Sequence, residues 1–318
     1  MNTIDSKIQA LYDYKPDLTK CSDFDQFWAE TIEESKRTPL NPLLRKIDYP
    51  SRYVTVYDIT YCGFDGTPIH GWYLVPNFTS GGKSSCLINY HGFGGSRGTP
   101  SGLMHWVLSG MSVISVDCRM QGGDSGNYSN YTSGMVQNFS CLGILNPYEY
   151  YYRAVYMDCI RAIDFAETCE NVASDKIVIH GISQGGGIGM AVCALDHRPI
   201  ILLVNVASNS NIERRVENEN GSFSSVSEYL RRYPDRITQV YKTISYFDTM
   251  NMADQINCKV FASVALKDTT CPAECYFASY NRIRSEKQIE IYPFNRHDGA
   301  REVQIEKELS YLNSLGIL

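Results

Sequence analysis

The segment Gly181-Ile182-Ser183-Gln184-Gly185 sets a serine between two glycines, with a strand-like apolar run before it and an apolar helix-like run after it. In that context the pattern predicts a sharp strand-to-helix turn that lifts a serine hydroxyl clear of a sheet. Side chains at positions 181 and 185 would collide with neighbouring backbone. The helix start behind the serine would offer the Gln184 N–H, helped by the helix dipole, to a developing oxyanion. A serine hydroxyl is a weak nucleophile, so it needs a base, and the base needs an orienting carboxylate. The expected chain order is serine, acid, histidine. His297, in the loop Phe294-Asn295-Arg296-His297-Asp298-Gly299, is the candidate base. The other histidine after Ser183 is His197, which falls at the far end of the elbow's own helix. Asp268 is the candidate acid, because it ends a strand at the edge where functional loops gather. Asp298 adjoins His297 and cannot easily bond its neighbour's ring from behind. Asp248 and Asp254 come earlier, in an inserted segment. A second oxyanion donor is expected from Tyr90-His91-Gly92-Phe93-Gly94-Gly95, through the N–H of Phe93. His91 is expected to brace that loop. Other glycine-rich readings fail: Gly185 to Met190 lacks the last glycine of a dinucleotide fingerprint, and no Gly-Lys-Ser/Thr marks a phosphate loop.

These residues need a scaffold, and the chain reads as one. Residues 23–36 form a helix by the spacing of Phe24, Phe27, Trp28 and Ile32, with Ser22 or Asp23 as N-cap. Alternating stretches at 53–61 and 69–75, joined by a Gly-containing turn, predict an antiparallel hairpin at the sheet edge. Strands at 86–90, 111–117, 176–180, 200–206, 258–265 and 288–292 then alternate with helices at 149–168, 184–195, 272–283 and 300–315. This order predicts an α/β protein: a mainly parallel sheet with helices on both faces. Residues 209–254 interrupt the rhythm with polar, helix-prone sequence and read as a helical cap inserted into a single domain spanning 1–318.

Composition narrows the function classes. The 318 residues are 43% hydrophobic and 20% charged, so the chain can bury a core and is not a disordered one. A net charge of -6 without a basic stripe argues against nucleic acid as a partner. The longest apolar run, Ile200 to Val204, is far too short for a bilayer, and the first residues lack the apolar region of a signal peptide. The 11 cysteines are scattered without CxxC spacing, which predicts a reduced, cytoplasmic protein, and the six dispersed histidines predict no metal or other cofactor.

The chain also resembles the acetyl xylan esterase / cephalosporin-C deacetylase family, carbohydrate esterase family 7. The resemblance is carried by Asp23 to Trp28, by Val56 to Tyr61 with Gly71 to Pro76, by the extended elbow Gly181 to Gly187, and by Ser245-Tyr246-Phe247-Asp248 with Asn251 and Ala253. It implies an α/β-hydrolase fold, Ser183, Asp268 and His297 as catalytic residues, and the amides of Gln184 and Phe93 as oxyanion donors. It further implies a homo-oligomer, commonly a hexamer, acting on short acetylated xylo-oligosaccharides and on the acetyl group of cephalosporin C. Two positions depart from the family. Its Arg-Gly-Gln motif stands here as Arg119-Met120-Gln121, and its oxyanion-loop tyrosine is Phe93. Arg119 and Gln121 are expected to tie their loop to neighbouring segments or to a subunit contact. Amide hydrolysis of the oligopeptidase kind, a general short-chain esterase and a non-catalytic binding protein are the competing readings of this scaffold.

Overall fold

The computed structural model describes residues 2–79, 82–135 and 138–318; Met1, at the head of the segment read for a signal peptide, lies outside them. In chain order the elements are α1 (Thr3–Asp13), α2 (Phe24–Lys36), β1 (Leu43–Lys46), β2 (Val54–Cys62), β3 (Pro68–Pro76), β4 (Ser84–Tyr90), α3 (Met104–Leu108) and β5 (Ser112–Val116). They continue as α4 (Tyr151–Thr168), β6 (Val172–Ile182), α5 (Gln184–Leu195), β7 (Ile201–Asn205), α6 (Ile212–Glu217), α7 (Ser224–Arg232), α8 (Ile237–Ser245), β8 (Lys259–Ala265), α9 (Ala273–Tyr280), β9 (Lys287–Tyr292) and α10 (Arg301–Ser314).

Among the described residues nine strands join one sheet in the order β1-β2-β3-β5-β4-β6-β7-β8-β9. From β5 to β9 every pairing is parallel, and β1, β2 and β3 form an antiparallel edge that meets β5 through β3. The expected two-stranded hairpin is therefore a three-stranded edge. The extra strand β1 has all four side chains exposed, so no buried face imposed an alternating pattern on it.

The central strands are apolar on both sides because both sides are covered. Consecutive residues divide between the faces. Ile88, Ile114, Ile179 and Leu202 pack with α2, α4, α5 and α9, while Leu87, Val113, Val178 and Leu203 pack with Trp106 of α3 and Tyr311 and Leu312 of α10. Helix α5 is buried from Gln184 to Ala194, which sets the helix behind Ser183 rigidly in the middle of the molecule. The parallel strands all end on the same edge of the sheet, and β6, β8 and β9 deliver Ser183, Asp268 and His297 to it.

Candidate active site

Ser183 sits between the last residue of β6 and the first of α5 with φ 59° and ψ -118°, a conformation L residues avoid. Its surroundings leave no alternative. The Ser183 N–H donates to the Asn205 carbonyl at 2.9 Å, and the Ser183 carbonyl accepts from Gly187 at 3.1 Å and Ser208 at 2.9 Å. A Cβ at Gly181 would overlap the Gly185 carbonyl, and one at Gly185 would overlap the Tyr90 carbonyl. The two glycines of the motif are thus steric necessities of a turn this tight, as the spacing predicts.

His297 places Nε2 2.9 Å from Ser183 Oγ and Nδ1 2.7 Å from Asp268 Oδ2. The Asp268 side chain is fully buried, and its other oxygen accepts the backbone N–H groups of Thr270 at 2.8 Å and Cys271 at 2.9 Å. One carboxylate oxygen is therefore committed to its own loop and the other to the imidazole. Asp298 turns away, accepting from Asn295 Nδ2 at 2.8 Å and the Arg296 N–H at 2.9 Å. Asp248 serves the backbone of the segment between β7 and β8, accepting the amides of Asn211, Ile212 and Met250, and burial raises its pKa to about 6. His197 is exposed at the C-terminal end of α5. An imidazole bonded to a carboxylate on one nitrogen and to a hydroxyl on the other can move a proton from that hydroxyl.

Gln184 opens α5, so its N–H has no partner within the helix. Phe93 lines the same cavity as Ser183, and among the described residues its N–H makes no bond within the protein. Its neighbour Gly94 donates instead to Gln121 Oε1 at 2.8 Å. Gln121 also exchanges side-chain amide bonds of 3.0 and 3.1 Å with Gln184 and donates to the Tyr151 hydroxyl at 2.9 Å. The loop after β5 therefore ties together the two segments that carry the candidate oxyanion amides. Arg119 points the other way. It is fully buried and forms paired bonds of 2.6 to 3.0 Å with Asp158 of α4 and Asp65 of the β2–β3 turn. Arg119 holds the Asp65 carboxyl well below the usual range, against the opposing pull of burial. His91 braces its loop: Nδ1 meets the Gly92 carbonyl at 2.7 Å and Nε2 accepts the Cys118 N–H at 2.8 Å.

The cavity of about 530 Å³ in front of Ser183 and His297 is within the range of small-molecule sites. Its wall includes Phe93, Asn138, Arg215 and Cys271. The Phe93 ring packs on Phe139, and Phe139 stacks on Tyr151. Sequence reasoning missed Cys271 and Arg215 as parts of the site. Cys271 Sγ lies 3.9 Å from Ser183 Oγ, and burial raises its pKa. Among the described residues no group of three or more His, Cys, Asp or Glu side chains converges as a metal site would require.

The model of the acetyl xylan esterase family matches residues 1–315. The acetyl xylan esterase from Paenibacillus sp. R4 superposes with a TM-score of 0.91 at 38% identity, covering 96% of this chain and 99% of that one. Acetyl xylan esterase 1 from Thermoanaerobacterium sp. JW/SL YS485 gives a TM-score of 0.89 at 25% identity over 95% of this chain and 96% of its own. Acetyl esterase Axe7A of Xylanibacter ruminicola is 24% identical over 294 residues, which are 89% of this chain and 65% of that longer protein. The fold is that of the α/β-hydrolases. Matched by its model over residues 1–315 and 38% identical to a relative that covers 96% of it, the chain belongs to the acetyl xylan esterase family.

Proposed function

We propose that this protein is a serine carboxylesterase that removes acetyl groups from acetylated xylo-oligosaccharides and from other small acetyl esters such as cephalosporin C. The observation that carries the reading is the unbroken line of hydrogen bonds from Asp268 through His297 to Ser183. In this reading Ser183 Oγ attacks the acetyl carbonyl while His297 Nε2 takes its proton and then gives it to the leaving alcohol. Asp268 keeps Nδ1 protonated and stabilises the imidazolium. The N–H groups of Gln184 and Phe93 hold the oxyanion at the positive end of α5. Water then attacks the acetyl-enzyme with His297 as base, and acetate leaves. The segment between β7 and β8 acts as a cap, since Arg215, Gly221 and Ser222 line the cavity. Bulk from Phe93 and Phe139 beside the oxyanion loop supports a short acyl group. Exposed Leu43 and Leu44 on the outermost strand support self-association into a homo-oligomer, up to a hexamer. Eleven free thiols, nine of them buried, support a reducing, cytoplasmic setting.

Initial rates on acetyl, butyryl and octanoyl esters of one alcohol test the acyl preference. Acetyl esters should be favoured over butyryl by about tenfold or more. Acetylated oligosaccharides should be cleaved faster than acetylated xylan polymer. Equal rates on acetyl and octanoyl esters would overturn the acyl assignment, and sedimentation as a monomer would overturn the self-association.

A further inference from the structure

Arg215, on α6, is a cation buried to 1% exposure in the wall of the cavity that holds Ser183. The equally buried Arg119 sits between two carboxylates. Arg215 contacts none among the described residues. Its Nη1 donates to Ser208 Oγ, its Nη2 donates to the Thr270 carbonyl at 2.8 Å and reaches Cys271 Sγ at 3.6 Å, and among the described residues its Nε has no acceptor. The plane packs over the Phe223 ring at 4.8 Å. A buried charge without a carboxylate partner is unfavourable, so the other contacts of Arg215 must offset that cost.

The Thr270 carbonyl and the Cys271 N–H belong to the same peptide unit. The carbonyl accepts from Arg215, and the N–H donates to Asp268 Oδ1 at 2.9 Å. The unit is held between a cation and an anion, and each bond polarises it in the sense that strengthens the other. Asp268 presents its remaining oxygen to His297 Nδ1. Ser208, the other oxygen partner of Arg215, donates its N–H to the Ser183 carbonyl. One guanidinium thus touches both the loop that carries the acid and the residue that pins the elbow.

We infer that Arg215 is a positioning residue for the acid: by gripping the Thr270–Cys271 peptide it holds the Asp268 carboxylate with Oδ2 toward His297. The inference rests on the reading of Ser183, His297 and Asp268 as the reacting line. It assigns Arg215 no contact with the substrate and no proton to transfer.

The test uses hydrolysis of p-nitrophenyl acetate by Arg215→Ala. The expected loss in kcat is on the order of 10- to 100-fold, with KM within about threefold, because an orienting contact is removed and binding is not. Millimolar guanidinium, which can enter the vacated space from the cavity, should restore most of the loss. Urea has the same shape without the charge and should restore none. In an Asp268→Asn background the Arg215→Ala change should cost less than about threefold, because the group it positions no longer acts as a carboxylate. A folded Arg215→Ala enzyme with kcat near that of the wild type overturns the inference. So does restoration by urea as strong as by guanidinium, restoration by neither, or an undiminished cost in the Asp268→Asn background. Should Arg215→Ala fail to fold by circular dichroism, Arg215→Lys decides. It keeps the charge and loses the fork, so kcat should fall by about tenfold at constant KM, and an unchanged kcat overturns the inference. Activity surviving in Ser183→Ala would instead defeat the functional reading itself. An inactive Ser183→Ala beside an unimpaired Arg215→Ala defeats only the role of Arg215.

Discussion

Ser183 and Met120 are both non-glycine residues held at positive φ, 59° and 60°, on the same edge of the sheet. Their surroundings differ completely. Ser183 is pinned by three backbone hydrogen bonds and two glycines that admit no Cβ, and its hydroxyl faces an imidazole. Among the described residues Met120 makes one backbone bond, to the Ser125 carbonyl at 3.0 Å, and the residue is 38% exposed. Its conformation follows from its neighbours, since Arg119 is drawn inward to Asp65 and Asp158 while Gln121 turns toward Gln184 and Gly94. The chain must reverse between those anchors. Backbone strain alone therefore does not mark a reacting group; what the strained residue presents, and to what, decides.

The largest effect that could break this contrast is at the serine. Ser183→Ala should fold normally and lose roughly three or more orders of magnitude in kcat, measured on a soluble acetyl ester. Near-wild-type turnover would reduce Ser183 to the same standing as Met120.

The two aspartates near His297 offer a second, smaller contrast. Asp268→Asn keeps the loop bonds but presents the wrong group to Nδ1, and kcat should fall on the order of 100-fold or more. Asp298→Asn should leave kcat within about threefold, since Asp298 serves only its own loop. The reverse ranking would show that the acid has been misassigned.

The same contrast explains how far the sequence could be read. The elbow was legible because steric exclusion at Gly181 and Gly185 is local and leaves a fixed spacing. The candidate acid and base follow from chain order, and the structure sets Asp268 and His297 in line with Ser183; α5 matches its expected span of 184–195. Interactions between distant segments left no such trace. Arg215 reads in sequence as half of a short basic pair with Arg214. Its contacts with Thr270 and Cys271 span 55 and 56 residues. Sequence leaves Gln121 tied either to a neighbouring segment or to a subunit contact; that it bonds Gly94 and Gln184 is a long-range fact. Helix α1 went unread because none of its residues is buried, although Asn2 and Asp5 form a capping box at its start.

A third test concerns the strand beneath the elbow. His180, three residues before Ser183, bonds Asn89 Oδ1 through Nδ1 at 2.8 Å, and its Nε2 lies 3.7 Å from Glu308 Oε2. Asn89 donates its amide to Ser115, so its oxygen faces the ring and Nδ1 carries the proton. Nε2 is then an acceptor turned toward Glu308, while Asn205 donates to the other carboxyl oxygen at 2.6 Å. Burial raises Glu308 to about 7 and lowers His180 to about 3, so both are neutral in the fold at moderately acid pH. A carboxyl raised in the folded state contributes stability that is full below its ordinary pKa of about 4.5 and is lost as pH rises through about 7. The change amounts to on the order of 3 kcal/mol. Glu308→Gln mimics the neutral acid and should remove that dependence. Melting temperatures of the two proteins should agree near pH 5 and diverge in favour of Glu308→Gln at pH 8. A constant difference across that range would place the charge elsewhere.

The smallest effect is expected at Met120 itself. Glycine there would relieve the crowding that an L side chain meets at positive φ, about 1 kcal/mol or slightly more, while adding freedom to the unfolded chain that offsets about half of it. Met120→Gly should therefore stabilise the protein by roughly 0.5 kcal/mol, a rise of about 1–2 °C in Tm for a chain of this size. Turnover should remain within about tenfold, because Arg119 and Gln121 keep their partners whichever residue joins them. The measurement pairs a melting curve with kcat on the same preparation. A loss of activity as deep as that of Ser183→Ala would mean that the Met120 side chain reaches the reacting atoms, and the contrast between the two strained residues would fall. A lower Tm with full activity would mean that the methionine packs usefully despite its exposure. The expected pair of results, slightly more stable and equally active, identifies the strain at Met120 as a by-product of its two anchored neighbours.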